Sequence, residues 1–338
     1  MGPLPPRPLP PRRPPPLPRL PPLPRLPPLP RLPPLPLLLS VFSLLVQVTA
    51  SEFKICAYNV DRFDSEKASD SRALHTVTRI VSRCDICLLQ NVVDSGAVAT
   101  LLVSLNRESD RYDNYSYQSV SSKSLGNSPE DMQQYVFIYR VENVNVTGQH
   151  QYQQKKSFVR QPFAVQFQSK KTAIKSFILV PLHSDPSQAV QEIDRLYDVF
   201  QEVSQKWNNT NVMFLGDFHA SCAYVTRADK KHIRLFSKPS FYWLIRDKVD
   251  TTISTDTNCA FDRIVVHGKP FLKAIRPFSA KVFDYVKEFK LPTSKALEVS
   301  QNLPVEVTLA SSALLLQATP LLILISASAI VQSFLSAL

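Results

Sequence analysis

The chain has 338 residues with 39 basic and 28 acidic side chains, which give a formal net charge of +11. Hydrophobic residues make up 44% of it, enough for a buried core, so a chain that is disordered throughout is excluded. There are only six glycines, and neither a P-loop nor a dinucleotide-binding glycine motif is present, which excludes those two classes of nucleotide-binding enzyme.

The first 36 residues differ from the rest of the chain. They contain 19 of the 29 prolines, six arginines and no acidic residue, and from Leu17 to Pro34 the unit Leu-Pro-Arg-Leu-Pro-Pro occurs three times. Proline fixes its own φ and lacks an N–H donor, so residues 1–36 cannot build a core. We interpret them as a polyproline linker or a segment lost in processing; a ligand for SH3-type domains is the alternative.

An apolar run over residues 37–50 follows these arginines and ends in Val48-Thr49-Ala50. The run is short for a membrane span. It predicts a signal peptide that is cleaved after Ala50 and preceded by an unusually long n-region. Cleavage there leaves a domain of about 260 residues, 51–309, with 33 basic and 28 acidic side chains. This length suits one large domain, and the charge attracts a polyanion only mildly.

Within residues 51–309, short apolar runs alternate with stretches of helical periodicity. The predicted strands are Phe53–Asn59, Asp85–Gln90, Gln134–Arg140, Ala164–Phe167, Lys175–Pro181, Asn211–Gly216, Arg263–His267 and Val305–Leu309. The predicted helices are Ser71–Arg83, Gly96–Leu105 and Ser187–Gln205. Strands on both sides of helices predict an α/β domain of packed mixed sheets flanked by helices.

From Leu309 to Leu338 the chain contains no charged side chain. Small residues followed by an apolar C-terminus resemble a GPI-attachment signal, with Ser311 or Ser312 as the attachment site. No lysine or arginine follows to fix residues 310–338 as a membrane span. A single-span tail and a simply secreted product remain alternatives, and the sequence predicts a monomer.

Five cysteines in an exported chain predict at least one disulfide. Cys222 and Cys259 flank the strands at Asn211–Gly216 and Arg263–His267, and we predict that they pair. Cys84 and Cys87 have the spacing of redox and zinc motifs but lack a second ligand pair, which favours buried thiols. The state of Cys56 is open.

Three Asn-X-Ser/Thr sequences predict N-glycosylation, in line with export. The acceptor residues are Asn114, Asn145 and Asn208.

Polar residues follow or begin several predicted strands. Asn59 is the last residue of the first predicted strand, and His183 lies just after the strand Lys175–Pro181. Asp217 directly follows the buried strand Asn211–Gly216, and Asp262 directly precedes the strand Arg263–His267. Each of them could be a satisfied polar group at a strand end. Position alone leaves open whether they belong to one site.

Over Phe53 to Leu309 the chain resembles the deoxyribonuclease I family. The blocks that carry the resemblance are Lys54–Asn59, Arg83–Ser95, Leu196–Trp207, Leu215–Cys222, Asp250–Val266 and Leu303–Leu309. The apolar tail and the sequence Arg83-Cys84-Asp85-Ile86 are most similar to the membrane-anchored, deoxyribonuclease I-like 1 branch. The resemblance implies a four-layer sandwich of two central mixed β-sheets flanked by helices. It also implies an endonuclease that hydrolyses DNA phosphodiester bonds with Mg²⁺ and Ca²⁺.

The resemblance implies specific roles for the retained residues. His183 is one of two catalytic histidines, and Asp262 belongs to the second histidine–carboxylate pair. Asp217 and Asn59 belong to the metal and phosphate shell, and Arg160 contacts phosphate. Proton transfer by such groups and charge stabilisation by a metal are what this hydrolysis needs.

Several positions depart from the family pattern. Asn91 stands where the family has a metal-binding Glu, and Gln133 where a carboxylate orients the first histidine. Gln301 and Asn302 replace the terminal Asp-His pair of the family, in which the Asp belongs to the metal site and the His is catalytic. His219, beside Asp217, replaces an Asn and is assigned to DNA contact.

Two DNA-contacting arginines of the family are also absent, because Asp61 and Val93 stand in their places. Losing one general acid or base costs roughly 10²–10⁴ in rate. The sequence therefore predicts a deoxyribonuclease of weak or absent activity with weak DNA affinity and weakened metal binding. The alternative is a cell-surface protein that binds DNA or a protein partner without cutting; hydrolysis of another phosphoester is disfavoured.

Overall fold

The computed structural model describes residues 52–107, 113–154 and 157–312. The predictions for the proline-rich leader, the signal peptide and the tail beyond Ser312 fall on residues outside these ranges. Among the described residues, the helices are all too short or too polar to cross a membrane.

The described residues form twelve strands and eight helices. The strands are β1 Phe53–Phe63, β2 Ile86–Val92, β3 Tyr117–Ser121, β4 Gln134–Arg140, β5 Asn145–Gln151, β6 Phe163–Gln168, β7 Ser176–Pro181, β8 Val212–Asp217, β9 Phe241–Trp243, β10 Asp262–His267, β11 Lys281–Val282 and β12 Val305–Leu309. The helices are α1 Ser65–Ser69, α2 Ser71–Val81, α3 Ser95–Asn106, α4 Ala189–Trp207, α5 Arg234–Ser237, α6 Lys269–Ala274, α7 Tyr285–Glu288 and α8 Thr293–Leu297.

Two six-stranded sheets organise these elements. The first has the strand order β11-β12-β1-β2-β4-β3, and the second has the order β5-β6-β7-β8-β10-β9. In each sheet one pair of strands is parallel, β1 with β2 and β7 with β8, whereas the remaining pairs are antiparallel. Both sheets are therefore mixed, as predicted.

Three apolar clusters give the layer order. Side chains from the inner faces of both sheets, such as Phe137 and Phe177, form the central cluster. Helices α2 and α3 pack on the outer face of the first sheet, and α4 packs on the outer face of the second. Because side chains alternate along a strand, Ile55 faces the central cluster while Cys56 faces the helices. The predicted four-layer sandwich is confirmed.

Local chemistry explains where the long helices begin and end. The side chains of Asp70 and Asp94 accept N–H groups from the first turns of α2 and α3, which leaves these helices within a residue or two of their predicted bounds. Helix α4 begins later than predicted because residues 186–188 form a 3₁₀ turn. It ends at Asn208, which has a left-handed conformation with φ 45°.

Four strands were missed by the sequence analysis, namely β3, β5, β9 and β11. Strand β5, for example, reads Asn-Val-Thr-Gly-Gln-His-Gln and lies at the edge of its sheet with exposed or half-buried side chains. An edge strand that buries little surface has no apolar run to reveal it.

Strand register sets the position of the polar residues. Antiparallel pairing aligns Phe53 with Leu309 and Ala57 with Val305, so the segment that precedes β12 lies beside the end of β1 at Asn59. In the second sheet Asp262 lies directly opposite Asp217. The predicted site therefore gathers at one end of both sheets.

Two disulfides tie the fold together. Cys222 pairs with Cys259, as predicted, and Cys56 pairs with Cys84. The expectation of a buried thiol at Cys84 is wrong, because its partner faces it from the outer side of β1, 28 residues away in sequence. Cys87 is a buried free thiol, as expected. Closing a loop of 37 residues stabilises by about 3–4 kcal/mol in the chain-entropy model.

The disulfide pattern predicts the number of reactive thiols. Alkylation in denaturant without reductant labels one cysteine per chain, Cys87, because the other four are oxidised. Alkylation after reduction labels all five. Mass mapping of the labelled peptides is the measurement, and label on Cys84 or Cys222 before reduction would contradict the pairing.

Candidate active site

The four polar residues expected at strand ends lie together and are buried. Asn59 is in β1, Asp217 ends β8, Asp262 begins β10, and His183 follows β7. Parallel neighbours end at the same edge of a sheet, and the two sheets face each other, so these four side chains meet at one end of the sandwich.

A side chain from the first sheet connects it to the second at this point. Gln90 of β2 donates from Nε2 to the carbonyl oxygen of Leu182 at 2.7 Å, and its Oε1 accepts the backbone N–H of Asp217 at 2.9 Å. Gly216 has φ +128°, and a Cβ there would lie 2.4 Å from Gln90 Nε2. A glycine is therefore required for this close approach.

The carboxylate of Asp217 is surrounded by N–H donors. Its Oδ2 accepts from Asn59 Nδ2 at 3.0 Å and from Asn302 Nδ2 at 3.1 Å. Its Oδ1 accepts the backbone N–H of His219 at 3.2 Å. The same Asn302 Nδ2 donates to Asp262 Oδ2 at 2.8 Å, so one amide group bridges two buried carboxyl groups.

The pKa values of the two carboxyl groups are shifted in opposite directions. Burial alone would raise the pKa of Asp217, but His219, His183 and the hydrogen bond from Asn59 outweigh it and lower the pKa. Burial and the neighbouring Asp217 charge raise the pKa of Asp262 well above its ordinary value. Asp217 therefore ionises more readily than Asp262. Asp262 Oδ1 is buried without a hydrogen-bond partner.

His183 is fixed by neutral groups. Its Nδ1 lies 2.6 Å from Gln133 Oε1; because a carboxamide oxygen only accepts, Nδ1 carries the proton and Nε2 the lone pair. Its backbone N–H donates to the Tyr135 hydroxyl at 3.0 Å. Burial and the nearby Arg160 lower the pKa of His183 to about 3, so its imidazole is neutral at physiological pH.

His219 adds a second imidazole beside the first. It has a left-handed backbone with φ 47°, and its ring stacks on His183 with centroids 6.0 Å apart. Its Nδ1 lies 3.3 Å from Ser184 Oγ and 3.4 Å from Asp217 Oδ1. The imidazole of His219 lies beside Asp217 Oδ1, whereas Asn302 bonds Asp217 Oδ2 and Asp262. The family resemblance implies the lost histidine at residue 302, so His219 does not occupy its place.

Three other predicted residues have different surroundings from those expected. Arg160 is buried, donating from Nη1 to Asp131 Oδ1 at 2.5 Å and from Nε to the His183 carbonyl at 3.1 Å, so its charge is directed inward. Gln301 is exposed, and its carbonyl accepts the N–H of Ile253. Asn91 is half-buried at an irregularity of β2, with φ 62°.

The predicted modification residues are accessible. Asn114, Asn145 and Asn208 are exposed or half-buried. Ser311 pairs with Thr172, and Ser312 donates its N–H to the carbonyl of Lys171, so both lie at the point where the described chain ends. Glycosylation and lipid attachment at these residues stay predictions.

Comparisons with known proteins agree with this geometry. Residues 56–284 match the Endonuclease/Exonuclease/phosphatase family. Human Deoxyribonuclease gamma is 40% identical over 283 residues, covering 82% of this chain and 90% of the relative. Human Deoxyribonuclease-1-like 1 is 39% identical over 268 residues, covering 79% and 87%. The chain belongs to the deoxyribonuclease I family.

A solved structure supports the same fold for this deoxyribonuclease I-family chain at low identity. The crystal structure of humanized D. rerio TDP2 superposes with a TM-score of 0.54 at 16% identity, covering 77% of this chain and 99% of the other. At this identity the likeness concerns the fold alone.

Deoxyribonuclease I-family membership suggests dependence on a divalent metal, but the donors here fit such an ion poorly. Both oxygens of Asp217 accept N–H groups, and Asn59 Oδ1 accepts the N–H of Asp61 at 3.0 Å. Mg²⁺ and Ca²⁺ prefer several charged or carbonyl oxygens with free lone pairs. In the part of the chain that the structure describes, no group of three or more His, Cys, Asp or Glu residues is arranged to hold a metal.

Residues that the sequence analysis missed hold the site in place. Gln90 and Tyr135 are two of them, and Glu192 of α4 is a third. Its Oε1 accepts the N–H of Val159 at 2.7 Å and its Oε2 that of Asp185 at 3.1 Å, which ties together the loops that carry Arg160 and His183. Burial raises the pKa of Glu192 to about 7.

A sequence signal for Glu192 existed. Helical spacing places it on the buried face of α4 with Ala189, Ile193 and Leu196. A lone acid on an apolar face needs hydrogen-bond partners, so the pattern predicts a structural carboxyl group.

Burial of His183, together with the nearby Arg160, predicts an imidazole that resists protonation. Because the pKa of His183 is lowered from 6.5 to about 3, only the unfolded chain binds this proton between those values. The contribution of His183 to stability is thus present above pH 6.5 and decreases as the pH falls towards 3. In an NMR titration, His183 of the unmodified protein stays neutral from pH 7 to about pH 4.

Gln133→Glu raises the pKa of His183 by roughly 1–3 units, because a carboxylate stabilises the imidazolium. Gln134→Glu is the matched control: this neighbour bonds the Ser122 carbonyl and not His183, so the pKa of His183 is unchanged. An imidazole that titrates near pH 6.5 in the unmodified protein would contradict the burial argument.

Proposed function

We propose that this protein is a deoxyribonuclease I-family member whose ability to hydrolyse DNA is severely reduced. The observation that carries the proposal is the Asn302 amide, which bonds both Asp217 and Asp262. By resemblance a catalytic histidine belongs at this position. An amide donates hydrogen bonds to both carboxyl groups but cannot release or take up a proton at physiological pH.

Proton transfer is the step that this arrangement limits. The reaction needs a base that activates water and an acid that protonates the leaving oxygen. The Nε2 lone pair of His183 can accept a proton, but Gln133 cannot stabilise the resulting imidazolium and Arg160 opposes it. One of the two proton-transfer groups is lost and the other is weakened. Each defect costs roughly 10²–10⁴ in rate, with the effects not additive.

Weak DNA affinity is part of the proposal. The Arg160 guanidinium is paired with Asp131, and Asp61 and Val93 supply no positive charge where the family resemblance implies arginines. Phosphate contacts dominate DNA affinity, so fewer of them weaken binding. Mg²⁺ and Ca²⁺ are the implied metals, held weakly because both oxygens of Asp217 and the amide oxygen of Asn59 already accept N–H groups.

A second candidate is a protein that binds DNA or a protein partner at the cell surface without cutting DNA. It is favoured by a site whose carboxyl oxygens are mostly bonded within the protein itself. In this view the fold is kept as a binding surface. A plasmid-nicking experiment separates the two candidates, because the second predicts DNA or partner retention with no nicking at all.

The proposed address is the secretory pathway and then the cell surface. The two disulfides are consistent with an oxidising compartment. The same proposal includes the signal peptide, glycosylation and attachment of a monomer through the tail. It divides the chain into residues 1–36, 37–50, 51–309 and 310–338. Release from intact cells by a phosphatidylinositol-specific phospholipase supports a GPI anchor, and retention with the Leu338 end still attached supports a span.

Plasmid nicking with Mg²⁺ and Ca²⁺ tests the activity. We expect the purified protein to nick at a rate at least about 10² below that of an unsubstituted family member, because proton transfer is impaired. The variant with Asn91→Glu, Gln133→Glu, Gln301→Asp and Asn302→His should nick faster than the parent. Adding His183→Ala to that variant is the matched control and abolishes the gain.

Nicking by the parent at the rate of an unsubstituted member, lost on His183→Ala, would overturn the proposal. DNA retention in a gel-shift assay without nicking supports the second candidate. If the reverted variant folds by circular dichroism yet stays inactive, the four positions are not the reason for low activity, and the proposed cause of the impairment is wrong.

A further inference from the structure

The end of the domain opposite the candidate active site carries an unusual aromatic side chain. Phe278, in the loop between α6 and β11, is 96% exposed and has a left-handed backbone with φ 60°. A phenylalanine that gives its whole ring to solvent loses the free energy of burial, and its conformation is unfavourable for a side chain with a Cβ. Neither cost brings any benefit within the folded domain.

Two basic segments lie at this end of the domain, and the second of them carries the ring. Residues 169–175 and 268–282 together contain seven lysines and arginines and no acidic residue: Lys170, Lys171, Lys175, Lys269, Lys273, Arg276 and Lys281. Two acids outside these segments contact them, since Glu52 pairs with Arg276 and the buried Glu306 lies 3.6 Å from Lys281. The Lys281 side chain is still 61% exposed. We call residues 169–175 and 268–282 the basal surface.

An apolar groove lies next to Phe278 on the basal surface. Its volume is about 640 Å³, and its lining includes Trp243, Val249, Leu272, Ile275 and Pro277. The exposed ring and this groove form one apolar area bordered by cations.

The described chain ends between the two segments of the basal surface. Ala310 donates its N–H to the carbonyl of Ala274 at 2.7 Å, and Ser312 donates to the carbonyl of Lys171 at 2.9 Å. The 26 residues that follow, 313–338, contain no charged side chain and are rich in leucine, isoleucine and alanine. A membrane-seeking segment therefore begins within the basal surface itself.

We propose that the basal surface rests on the phospholipid bilayer that anchors the chain, with Phe278 at the level of the headgroups and the basic side chains over lipid phosphates. Aromatic rings and snorkelling lysines are the side chains that bind this interface. Each basic residue near an anionic leaflet contributes about 1 kcal/mol, equivalent to roughly fivefold in binding. This inference rests on the proposed surface address, because it needs either the lipid attached at Ser311 or Ser312 or a span formed from residues 313–338 to hold the domain at the same bilayer.

The orientation that follows has a functional meaning. Phe53 at the basal end and Asn59 at the site end are six residues apart in β1, or about 20 Å at 3.3 Å per residue. A domain resting on its basal surface holds the Asp217 site on the side away from the lipid. Soluble polyanions or proteins can then reach the site without competing with headgroups.

Fluorescence in vesicles tests the docked orientation with the full chain. Phe278→Trp places a reporter indole in the ring position, and Val103→Trp is the matched control, because Val103 is an exposed apolar residue of α3 outside the basal surface. Emission of the unmodified protein corrects for Trp207 and Trp243. In vesicles of phosphatidylcholine and phosphatidylserine, brominated lipid should quench most of the added emission in the Phe278→Trp protein and little of that in the Val103→Trp protein.

Charge variants test the electrostatic part. In the Phe278→Trp chain, Lys170→Gln with Lys175→Gln should lower the ratio of docked to undocked protein about 30-fold. Lys287→Gln with Lys290→Gln removes the same charge near the other end and leaves quenching unchanged.

The outcomes separate this inference from the address that it rests on. Vesicle-bound Phe278→Trp protein whose reporter indole is not quenched overturns the docked orientation but leaves the tail anchor intact. Protein that does not bind vesicles at all overturns both. Reporter emission that is blue-shifted without lipid and unchanged by vesicles means that residues 313–338 cover the groove instead, which also overturns the proposal.

Discussion

The contact between Gln90 and Gly216 determines the geometry of the site. Residues from two separate sheets must meet within hydrogen-bond distance, and sheets that pack through large apolar side chains stand about 10 Å apart. The Gln90 side chain crosses this gap at one end, bonding the Leu182 carbonyl and the Asp217 N–H. It can do so only because residue 216 has no Cβ. Asn59 of the first sheet consequently reaches the Asp217 carboxylate of the second.

Neutral side chains fill positions where the family resemblance implies charged or titratable groups. Gln133 accepts from His183, and Asn302 donates to two carboxyl groups, so both keep the hydrogen bonds that hold the site together. What they remove is the capacity to move or balance a proton. Under the proposed function the frame of the site is retained while its chemistry is reduced, which is why fold and function must be argued from different observations.

Much of the fold could be predicted from the sequence because buried faces of strands and helices require apolar residues at regular spacing. The strands of both sheet centres are apolar runs, and α2 and α4 show helical spacing with capping residues at or near their ends. The edge strand β5 buries little side-chain surface, so its sequence shows no such spacing. The family resemblance predicted that Asn59, His183, Asp217 and Asp262 belong to one site, and they meet because neighbouring strands in a sandwich share an edge.

Side-chain direction and long-range pairing could not be obtained in the same way. Nothing in the pattern around Arg160 indicates that Asp131 takes its charge, and the exposure of Gln301 depends on how the segment before β12 turns. Cys84 was assigned by its spacing from Cys87, although its partner Cys56 is in another strand. These features are set by tertiary contacts between residues far apart in sequence.

The bridging amide of Asn302 also bears on how stable the domain is. Active sites commonly hold like charges and unpaired polar groups whose repulsion lowers folding stability. Here a single neutral group bonds Asp217 and Asp262 and relieves that repulsion without adding charge. If turnover is lost, as proposed, the site is free to relax towards its most stable arrangement. Returning charged groups to it would lower the free energy of unfolding, so catalytic power in this fold comes at the expense of robustness.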